Sequence, residues 1–490
     1  MRQRPSRLRL ADALGMTRAV APGHEAVALP GGSRWLLLGL GPDPAALAAQ
    51  LPPDADVRYL ECPAFFQAAG EDWRAAIPRS WRRIDACDAG EADNILLHTQ
   101  SLQLFPQFWA PVRAALLLPR PPGTDAAGTV LMPEMPGSML APAIARALAE
   151  EGFAVRVVSR AGLLERLERE RPALFLSVNC AGLDRFGEVQ ALLERAGVPV
   201  ATWLADNPFH VLSGVKTAAW RDLRLFVTDD WFVEPLTRHG ARHVRHLPLA
   251  ADPAFFAAAP ARPELAGRLL FVGHSAFPGK EAFFSGLSPD PDLWRQATAM
   301  LLRGGRPDYG WWARAQGMDT LWPGLGARRV GCGAEESGLA WRELVIREAA
   351  RTGKLTVCGD AAWTALAGAA FDFLPPVSYG PALASLYAAA RFVVGAVSPL
   401  LPHGLTQRHF DVWAAGGCLL TDATPGLALF PEELTRPVTY ARAKDIPDLA
   451  RERERDRDGL VAAWRAHIAT HHTYRHRVRR ILECVGELRD

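Results

Sequence analysis

The feature that most constrains the fold is an alternation of short apolar runs and amphipathic stretches that occurs twice along the chain. Between residues 126 and 260, strand-like runs such as 130–132 and 198–204 alternate with helix-like segments, and the same rhythm returns between residues 268 and 422. Strands that alternate with helices predict a parallel sheet covered on both faces. The sequence therefore predicts two doubly wound α/β domains in series, with a ligand cleft between their strand ends.

Four segments follow from this pattern. The linker 120–124, Arg-Pro-Pro-Gly-Thr, closes a first α/β segment, and the residues after 443 form helix-like stretches with few breakers. The predicted domains are an N-terminal α/β accessory domain (1–122), a first Rossmann-like domain (123–262), a second Rossmann-like domain (263–442) and a C-terminal helical tail (443–490).

Charge and cysteine usage argue against several classes of function. The 490 residues include 55 basic and 53 acidic ones, a net charge of +2. Arginine is spread along the whole chain, so no clustered basic face indicates nucleic-acid binding. The seven cysteines form no C-x-x-C pair, which argues against a disulfide framework or a zinc site and favours a reducing compartment.

The chain also lacks the patterns of membrane and export segments. No apolar stretch approaches the ~20 residues that span a bilayer. The arginine-rich start lacks the apolar core of a secretory signal. We therefore expect a cytoplasmic protein whose contact with a membrane, if any, is peripheral.

An early glycine-rich turn matches a dinucleotide fingerprint only in part. Gly39-Leu40-Gly41-Pro42 follows an apolar run, and Glu61 stands about 20 residues further on. The turn lacks the final glycine, and Pro42 removes a backbone N–H. We expect no cofactor at this turn and none elsewhere in the chain.

The segment most informative about chemistry is 400–422, LLPHGLTQRHFDVWAAGGCLLTD. Its helix is predicted to start after Gly404, with Thr406 as a cap. Free N–H groups at a helix start attract a diphosphate, and Arg408 lies in the first turn. Asp411, one turn further on, could bind ribose hydroxyls. The simpler alternative is an amphipathic helix packed on a sheet, with Arg408 and Asp411 as a surface pair.

This segment resembles the donor-binding region of GT-B glycosyltransferases. In that family two glutamates, with seven residues between them, precede and open a helix of the form E-A-x-A-x-G-x-P. Here His403-Gly404 stands at the first position and Asp411 at the second, followed by Ala414-Ala415-Gly416. His403 thus replaces a carboxylate that would contact sugar hydroxyls.

The resemblance is closer to the spore-maturation (CgeB-like) group and covers about residues 126–490. That group has a helix of the form R-x-F-D/E and a tail with a pattern like H-x-T-Y-x-x-R, whose T-Y-x-x-R part lies within residues 472–477. The turn 206–208, Asp-Asn-Pro, and the exit 247–253 also resemble it. The resemblance implies a two-domain glycosyltransferase with a nucleotide-sugar donor.

The resemblance also implies a donor-binding loop after the first strand of the second domain. Gly273, His274 and Ser275 would approach the donor diphosphate, and Lys280 would neutralise charge on the leaving nucleotide. The alternative is an ordinary strand-to-helix turn followed by a solvated lysine.

Candidate acceptor-side residues follow strand ends of the first domain. Glu134, Gly137 and Ser138 lie after its first strand, where the alternative is a turn with Ser138 as a helix cap.

Asp206, Asn207 and His210 follow a later strand of the same domain. Asp206 or His210 could deprotonate an acceptor hydroxyl, and Asn207 would lie on the acceptor side. An Asp-Asn-Pro turn also forms without any such role.

Two clusters could suggest a metal, but we expect none. Asp229 and Asp230 are adjacent rather than spaced as D-x-D, and we interpret them as a loop. His472 and His476 have i, i+4 spacing, but no third ligand is obvious, so a polar helix face is the simpler interpretation.

The sequence thus predicts a glycosyltransferase that moves a sugar from a nucleotide-sugar donor to a hydroxyl of a glycan or protein. Two alternatives stay open, since a fold alone does not choose among functions. One is a sugar-nucleotide epimerase on the same scaffold. The other is a non-catalytic sugar-nucleotide-binding or assembly protein, suggested by His403.

Overall fold

The sequence alternation corresponds to two six-stranded parallel sheets in the computed structural model, which describes residues 8–85, 90, 92–258 and 260–486. Cys87 and the first seven residues lie outside this part. The strands are β1 Arg9–Ala11, β2 Thr17–Ala19, β3 His24–Ala28, β4 Arg34–Leu38, β5 Asp56–Leu60, β6 Arg82–Arg83, β7 Asn94–His98, β8 Asp125–Pro133, β9 Ala154–Val158, β10 Arg171–Val178, β11 Val200–Leu204, β12 Arg224–Val227, β13 His243–His246, β14 Leu269–Val272, β15 Leu355–Cys358, β16 Asp372–Leu374, β17 Phe392–Val394, β18 Leu419–Asp422 and β19 Thr439–Tyr440.

The α-helices fill the connections between these strands and form the tail. They are α1 Pro44–Ala48, α2 Pro63–Ala68, α3 Glu71–Ala75, α4 Ser101–Leu104, α5 Pro106–Leu117, α6 Ala141–Glu150, α7 Arg160–Arg169, α8 Glu188–Arg195, α9 Pro208–Leu212, α10 Val233–Arg238, α11 Lys280–Phe283, α12 Pro291–Leu302, α13 Tyr309–Ala315, α14 Gly326–Ala350, α15 Trp363–Leu366, α16 Pro381–Ala389, α17 Arg408–Ala414, α18 Glu432–Thr435, α19 Ile446–Glu452, α20 Arg457–His471 and α21 Tyr474–Gly486.

The first parallel sheet contains β8 to β13 in the order β13-β12-β11-β10-β8-β9. All five strand pairs are parallel. The chain builds outwards from β8 to β9 on one side and to β10 on the other, so the winding direction reverses between β8 and β10. Ligands bind at the carboxyl ends of such sheets.

The second parallel sheet contains β14 to β19 in the order β16-β15-β14-β17-β18-β19, with every pair parallel. Its winding reverses between β14 and β17. The prediction of two doubly wound parallel sheets is confirmed. The apolar runs are buried as parallel strands require: Leu270, Val393 and Leu420 are fully buried.

The long helix α14 connects the two sheets. It lies between β14 and β15 in the chain, yet it also contacts α9, which follows β11 of the first sheet. Its buried face includes Val330, Ala334 and Val345. Within the described part of the chain, no helix is long and apolar enough to cross a membrane.

The N-terminal segment forms a five-stranded sheet of order β3-β7-β4-β5-β6, parallel except for β3. Glu61, the acidic residue of the partial dinucleotide fingerprint, points into the protein. Its carboxylate accepts hydrogen bonds from the N–H groups of Leu40 (2.8 Å) and Cys62 (2.9 Å). Burial raises the pKa of Glu61 to about 7. This carboxylate closes the turn at Leu40 and is not presented to a ribose.

The tail returns to the first sheet and contacts the segment that joins the two sheets. Helix α21 packs against α6. Arg477 donates from Nε to the carbonyl of Pro248 (2.8 Å) and from Nη2 to that of Leu249 (3.0 Å) and to Nδ1 of His472 (2.8 Å). The N–H of Ala251 donates to the carbonyl of His472. Residues 472–477 therefore form a structural junction in this chain.

We expect Arg477→Met to lower the free energy of unfolding by about 3 kcal/mol, because it leaves three buried acceptors without their donor. Arg479→Gln on the same helix is the matched control. Its ion pair with Glu151 joins a half-exposed arginine to a carboxylate at the surface, where solvent screens the attraction, so we expect a much smaller loss. Urea denaturation measures both variants, and equal losses would contradict this assignment.

Candidate active site

A cleft of about 560 Å³ opens between the carboxyl ends of the two parallel sheets. The first sheet contributes Asp206, Asn207 and His210, and the second sheet and α14 contribute His274 and Arg342. The structure thus brings three predicted acceptor-side residues to the same cavity as one predicted donor-side residue.

Asp206 follows β11 and presents an exposed carboxylate at the cleft. Nδ2 of Asn179, which follows the neighbouring β10, donates to its Oδ2 at 2.8 Å. Oδ1 of Asn179 accepts from the N–H groups of Ala205 and Asp206, which fixes the turn. Desolvation by the surrounding protein raises the pKa of Asp206, while the Asn179 hydrogen bond lowers it. A raised pKa strengthens this carboxylate as a base near neutral pH.

His210 also lines the cleft, but its ring is enclosed. It packs against Phe283, Phe284 and Tyr309, with centroids 5.1 to 5.8 Å apart. Its Nε2 is buried and finds no hydrogen-bond partner among the described residues. A Cβ added at Gly331 of α14 would lie 1.8 Å from that atom. Burial lowers the pKa of His210 to about 4, so the imidazole is neutral at neutral pH. The geometry favours Asp206 over His210 as the base.

Asn207 connects the two sides of the cleft. Its Oδ1 accepts from the N–H groups of Phe209 and His210 and so caps α9. Its Nδ2 donates to the carbonyl of Leu400 in the second domain at 2.9 Å. Both ends of the amide are therefore occupied by structural contacts.

The loop of Gly273, His274 and Ser275 is held firmly at its outer residues. The N–H and the hydroxyl of Ser275 both donate to Asp360, at 2.6 and 2.9 Å. The carbonyl of Gly273 accepts from Nε1 of Trp363 at 2.8 Å. Ser275 therefore has no free hydroxyl hydrogen for a phosphate, and His274 is the loop residue that lines the cleft.

Two arginines flank this loop. Arg408 donates to the carbonyls of Val272 (2.8 Å) and Ala396 (3.4 Å), which places its guanidinium between the ends of β14 and β17, where the winding reverses. Arg342 donates from Nη2 to the carbonyl of Ser275 at 2.9 Å. The Nε atoms of both are buried and have no hydrogen-bond partner in the described residues. Positive charge is thus concentrated beside the loop.

Arg342 is the main site residue that sequence reasoning missed. It lies inside the 25-residue helix α14, and its side chain is only 12% exposed. Its Nη2 lies 3.3 Å from Glu335, whose pKa burial raises. The sequence offered one weak signal for this pair. Glu335 and Arg342 are seven residues apart, about two helical turns, so a helix places both on the same side.

Lys280 occupies a different position from the one predicted. Its ammonium lies 2.8 Å from a carboxylate oxygen of Glu336, and its side chain is 16% exposed. It does not line the cleft. Because Lys280 lies outside the lining of the cleft, it is poorly placed to neutralise a leaving diphosphate.

Asp411 also differs from its predicted role. It is 1% exposed. Tyr379 Oη donates to its Oδ2 (2.7 Å), while Gln407 Nε2 (3.0 Å) and the N–H of Asp252 (3.3 Å) donate to its Oδ1. Both oxygens face the junction between the sheets, so a ribose cannot reach them in this conformation. The alternative of a surface pair with Arg408 is not what the structure shows either.

The residues before α17 link the two domains. His403 donates its N–H to Asp229 Oδ2 at 3.0 Å, and its Nδ1 lies 2.9 Å from Asp230 Oδ1. Gly404 accepts from the hydroxyl of Thr424. Thr406 does not cap the helix: Gln407 occupies the cap position, and the N–H of Thr406 donates to Nδ1 of His409.

The same contact assembles three groups with metal-ligating atoms. Atoms of Asp229, Asp230 and His403 all lie within 4.8 Å of one another. The acidic pair that the sequence placed in a plain loop therefore faces the second domain. Both Asp229 oxygens already accept backbone N–H groups, from Trp231 and His403.

We expect removal of divalent cations to leave activity unchanged, because Asp229 already accepts two backbone N–H groups and His403 Nδ1 already lies within hydrogen-bonding distance of Asp230. Turnover with and without EDTA measures this directly. A loss with EDTA that Mn²⁺ or Mg²⁺ restores, and that Asp230→Asn abolishes, would contradict the expectation.

The predicted acceptor loop lies at the carboxyl end of β8 but outside the 560 Å³ cleft. Glu134 and Gly137 are exposed. Ser138 Oγ accepts from the N–H of Ala141 at 3.1 Å, which is the capping contact considered as the alternative. These three residues do not line the cleft in this conformation.

Sequence comparison defines the class of the C-terminal region. Residues 342–483, which begin at Arg342 and include α17 and most of the tail, match a family profile described as glycosyl transferase-like. The matched segment covers less than a third of the chain. At this level the prediction of a glycosyltransferase is confirmed, and the chain carries a glycosyl transferase-like domain. Comparison with curated proteins gives no match.

The similar solved structures are distant. A structure from E. coli titled trehalose-6-phosphate bound with UDP-2-fluoro glucose shares 11% identity, covers 92% of this chain and 99% of its own, and has a TM-score of 0.37. An α,α-trehalose-phosphate synthase (UDP-forming) from Burkholderia xenovorans in complex with glucose-6-phosphate shares 12% over 92% and 100%, with a TM-score of 0.36. An α1,3-fucosyltransferase shares 8% over 76% and 90%, at 0.33. Similarities this low assign no substrate to this chain.

Proposed function

We propose that this protein transfers a sugar from a nucleotide-sugar donor to an acceptor hydroxyl. One observation carries the proposal: a single cleft is lined by Asp206, which follows a strand of the first sheet, by His274, which follows a strand of the second, and by Arg342 of α14. A base facing a cationic site is what transfer from a diphosphate leaving group requires. The glycosyl transferase-like segment begins on the cationic side, at Arg342.

On the donor side, Arg342 and His274 would contact the diphosphate. Arg408 would hold the loop 273–275 in place through the carbonyl of Val272 and add positive charge behind it. As the bond between the sugar and the diphosphate breaks, negative charge builds on the leaving oxygen. Fixed cationic donors stabilise that charge more in the transition state than in the bound donor.

On the acceptor side, Asp206 would accept the hydroxyl proton while the oxygen forms the new bond to the anomeric carbon. The pair of electrons from the broken bond leaves with the nucleotide. Asn179 orients the carboxylate through the 2.8 Å hydrogen bond to Oδ2. His210, with its Nε2 enclosed, would shape the pocket beside Asp206.

Further parts of the proposal concern subtype and setting. We propose residues 123–262 as the acceptor domain and 263–442 as the donor domain, and a CgeB-like subtype supported by the junction that 472–477 form with 248–252. We propose that the reaction needs no metal or cofactor. The free thiols of the described cysteines support a reducing cytoplasm as the site of action.

The test has two stages. Thermal shifts with UDP-, GDP-, dTDP- and CMP-sugars identify the donor, since a ligand raises the melting temperature by mass action. Nucleotide release is then measured with candidate acceptors. We expect Asp206→Asn to lower kcat about 100-fold or more with donor binding retained, because general-base catalysis contributes about 10²–10⁴-fold. Asp222→Asn, a remote ion-paired aspartate of the same domain, is the matched control.

Three results would count against the proposal. No stabilisation by any nucleotide sugar would favour an assembly protein without a donor site. Conversion of the donor sugar without an acceptor would favour an epimerase. Full activity of Asp206→Asn would remove Asp206 from the mechanism and leave the donor assignment standing.

A further inference from the structure

A second cavity, of about 610 Å³, lies beside the cleft on the first-sheet side. Val211 lines both cavities. Asn179 lines the second one and donates to Asp206, which lines the first. The second cavity therefore begins one hydrogen bond away from the proposed base.

Three cations converge on this cavity from three separate elements. Arg185 follows β10, Lys216 follows α9, and Arg328 belongs to α14. In the described part of the chain, no carboxylate lies within 4.0 Å of any of them. We refer to this space, defined by Arg185, Lys216 and Arg328, as the basic cavity.

The acidic residue in the basic cavity makes no ion pair with the three cations within the described chain. Asp184 lines it, but its two oxygens accept from the N–H groups of Phe186 and Val189, both at 2.8 Å. Burial and the neighbouring charges of Arg185, Arg18 and Arg328 lower the pKa of Lys216, against a smaller opposite effect of Asp12. Three like charges thus lie together without a carboxylate partner in the described chain, an arrangement that favours the binding of an anion.

Arg328 stands where the basic cavity meets the cleft. Its Nε donates to Ser213 Oγ at 3.0 Å. Its guanidinium lies 4.4 Å from the ring centroid of Phe283, and Phe283 lines the cleft. These two contacts hold the guanidinium of Arg328 in one orientation. Its planar set of N–H donors suits a phosphate or carboxylate group.

We propose that the basic cavity binds an anionic group, a phosphate or a carboxylate, carried by the acceptor. The acceptor is then an acidic sugar or glycan whose reactive hydroxyl reaches Asp206 while its anionic group meets Lys216, Arg185 and Arg328. This inference rests on the proposed glycosyl transfer and adds to it the chemical class of the acceptor.

The main experiment compares acceptors that differ only in charge. Nucleotide release is measured with neutral hexoses, hexose phosphates and hexuronic acids at matched concentrations. We expect kcat/KM for an anionic acceptor to exceed that for its neutral counterpart about tenfold or more, through KM. A preference for phosphates over uronic acids, or the reverse, identifies which anion is bound.

Variants connect this preference to the basic cavity. Arg328→Gln and Lys216→Gln are expected to raise KM for the anionic acceptor about tenfold, with thermal shifts by the nucleotide sugar unchanged. Arg329→Gln is the matched control, an exposed arginine on the same helix. Circular dichroism confirms folding of each variant, and two variants from different elements guard against a local folding defect.

A binding measurement, which needs no catalytic turnover, tests this inference separately from the proposed function. Isothermal titration with inorganic phosphate is expected to show binding to the wild type and weakened binding to Arg328→Gln and Lys216→Gln. Equal use of neutral and anionic acceptors by the wild type, or equal phosphate binding by all variants, would overturn the inference and leave glycosyl transfer intact. Failure of every nucleotide sugar to bind would instead reject the proposed function.

Discussion

Arg342→Gln is expected to lower kcat/KM for the nucleotide sugar about 10- to 100-fold. A hydrogen bond to a charged group contributes about 1.5–3 kcal/mol, and every 1.4 kcal/mol is tenfold. Arg342 lines the cleft and holds the carbonyl of Ser275 at 2.9 Å, so its loss removes a positive charge and loosens the loop 273–275. Steady-state release of the nucleotide measures the effect, and titration of the free nucleoside diphosphate measures its binding component.

Two further variants show whether charge or folding is responsible. Arg342→Lys keeps the charge but not the planar fork, and we expect it to recover part of the activity. Arg347→Gln, an exposed arginine one to two turns further along α14, is expected to behave as wild type. If Arg342→Gln binds the nucleotide as tightly as wild type, the diphosphate lies elsewhere in the cleft.

Asp411→Ala is expected to destabilise the protein by about 3 kcal/mol or more, since it leaves the buried donors of Tyr379, Gln407 and Asp252 without their acceptor. Asp411→Asn keeps the shape and should cost less than about 1 kcal/mol at pH 5. Chemical denaturation measures both. Asp458→Asn, at a largely exposed aspartate, is the control.

The pH dependence of these variants gives a sharper test. Burial raises the pKa of Asp411 to about 8, from 3.8 for an aspartate in an unfolded chain. The folded state therefore holds a proton that the unfolded chain releases, and the wild type loses stability as pH rises from about 4 to about 8. At 1.36 kcal/mol for each pKa unit, the loss is on the order of 5 kcal/mol. Asp411→Asn should lack it, so parallel stability curves for the two proteins would refute the raised pKa.

Much of the fold could be predicted because the buried parallel strands appear as short apolar runs, whereas the helices between them appear as amphipathic stretches. The run 130–132 lies within β8, and the run 198–204 contains β11. The short hairpin of β1 and β2 was not predicted, because a strand such as Thr17–Ala19 is exposed throughout and has no apolar alternation to reveal it.

Site residues could be predicted only where they follow a strand that is recognisable in the sequence. Asp206 and His274 directly follow apolar strands, and the carboxyl ends of parallel strands meet at one edge, so their place in the cleft could be expected. Arg342 follows no strand, and its position depends on which face of α14 meets the loop 273–275. Asp411, in contrast, was predicted to bind the ligand although its side chain is buried. Periodicity placed it near the helix start but could not tell whether it faces a ligand or the junction at Asp252.

The return of α21 to the first sheet has a consequence for synthesis on the ribosome. Arg477 closes hydrogen bonds with carbonyls of Pro248 and Leu249, which precede it by 229 and 228 residues. At about 5–20 residues per second, roughly 10 to 50 s pass between translation of the two partners. During that interval the nascent first domain carries an unfinished edge at residues 247–252, where a chaperone could bind before the tail arrives. Ribosome-bound chains stalled after residue 450 would therefore be more sensitive to protease at this edge than the released protein.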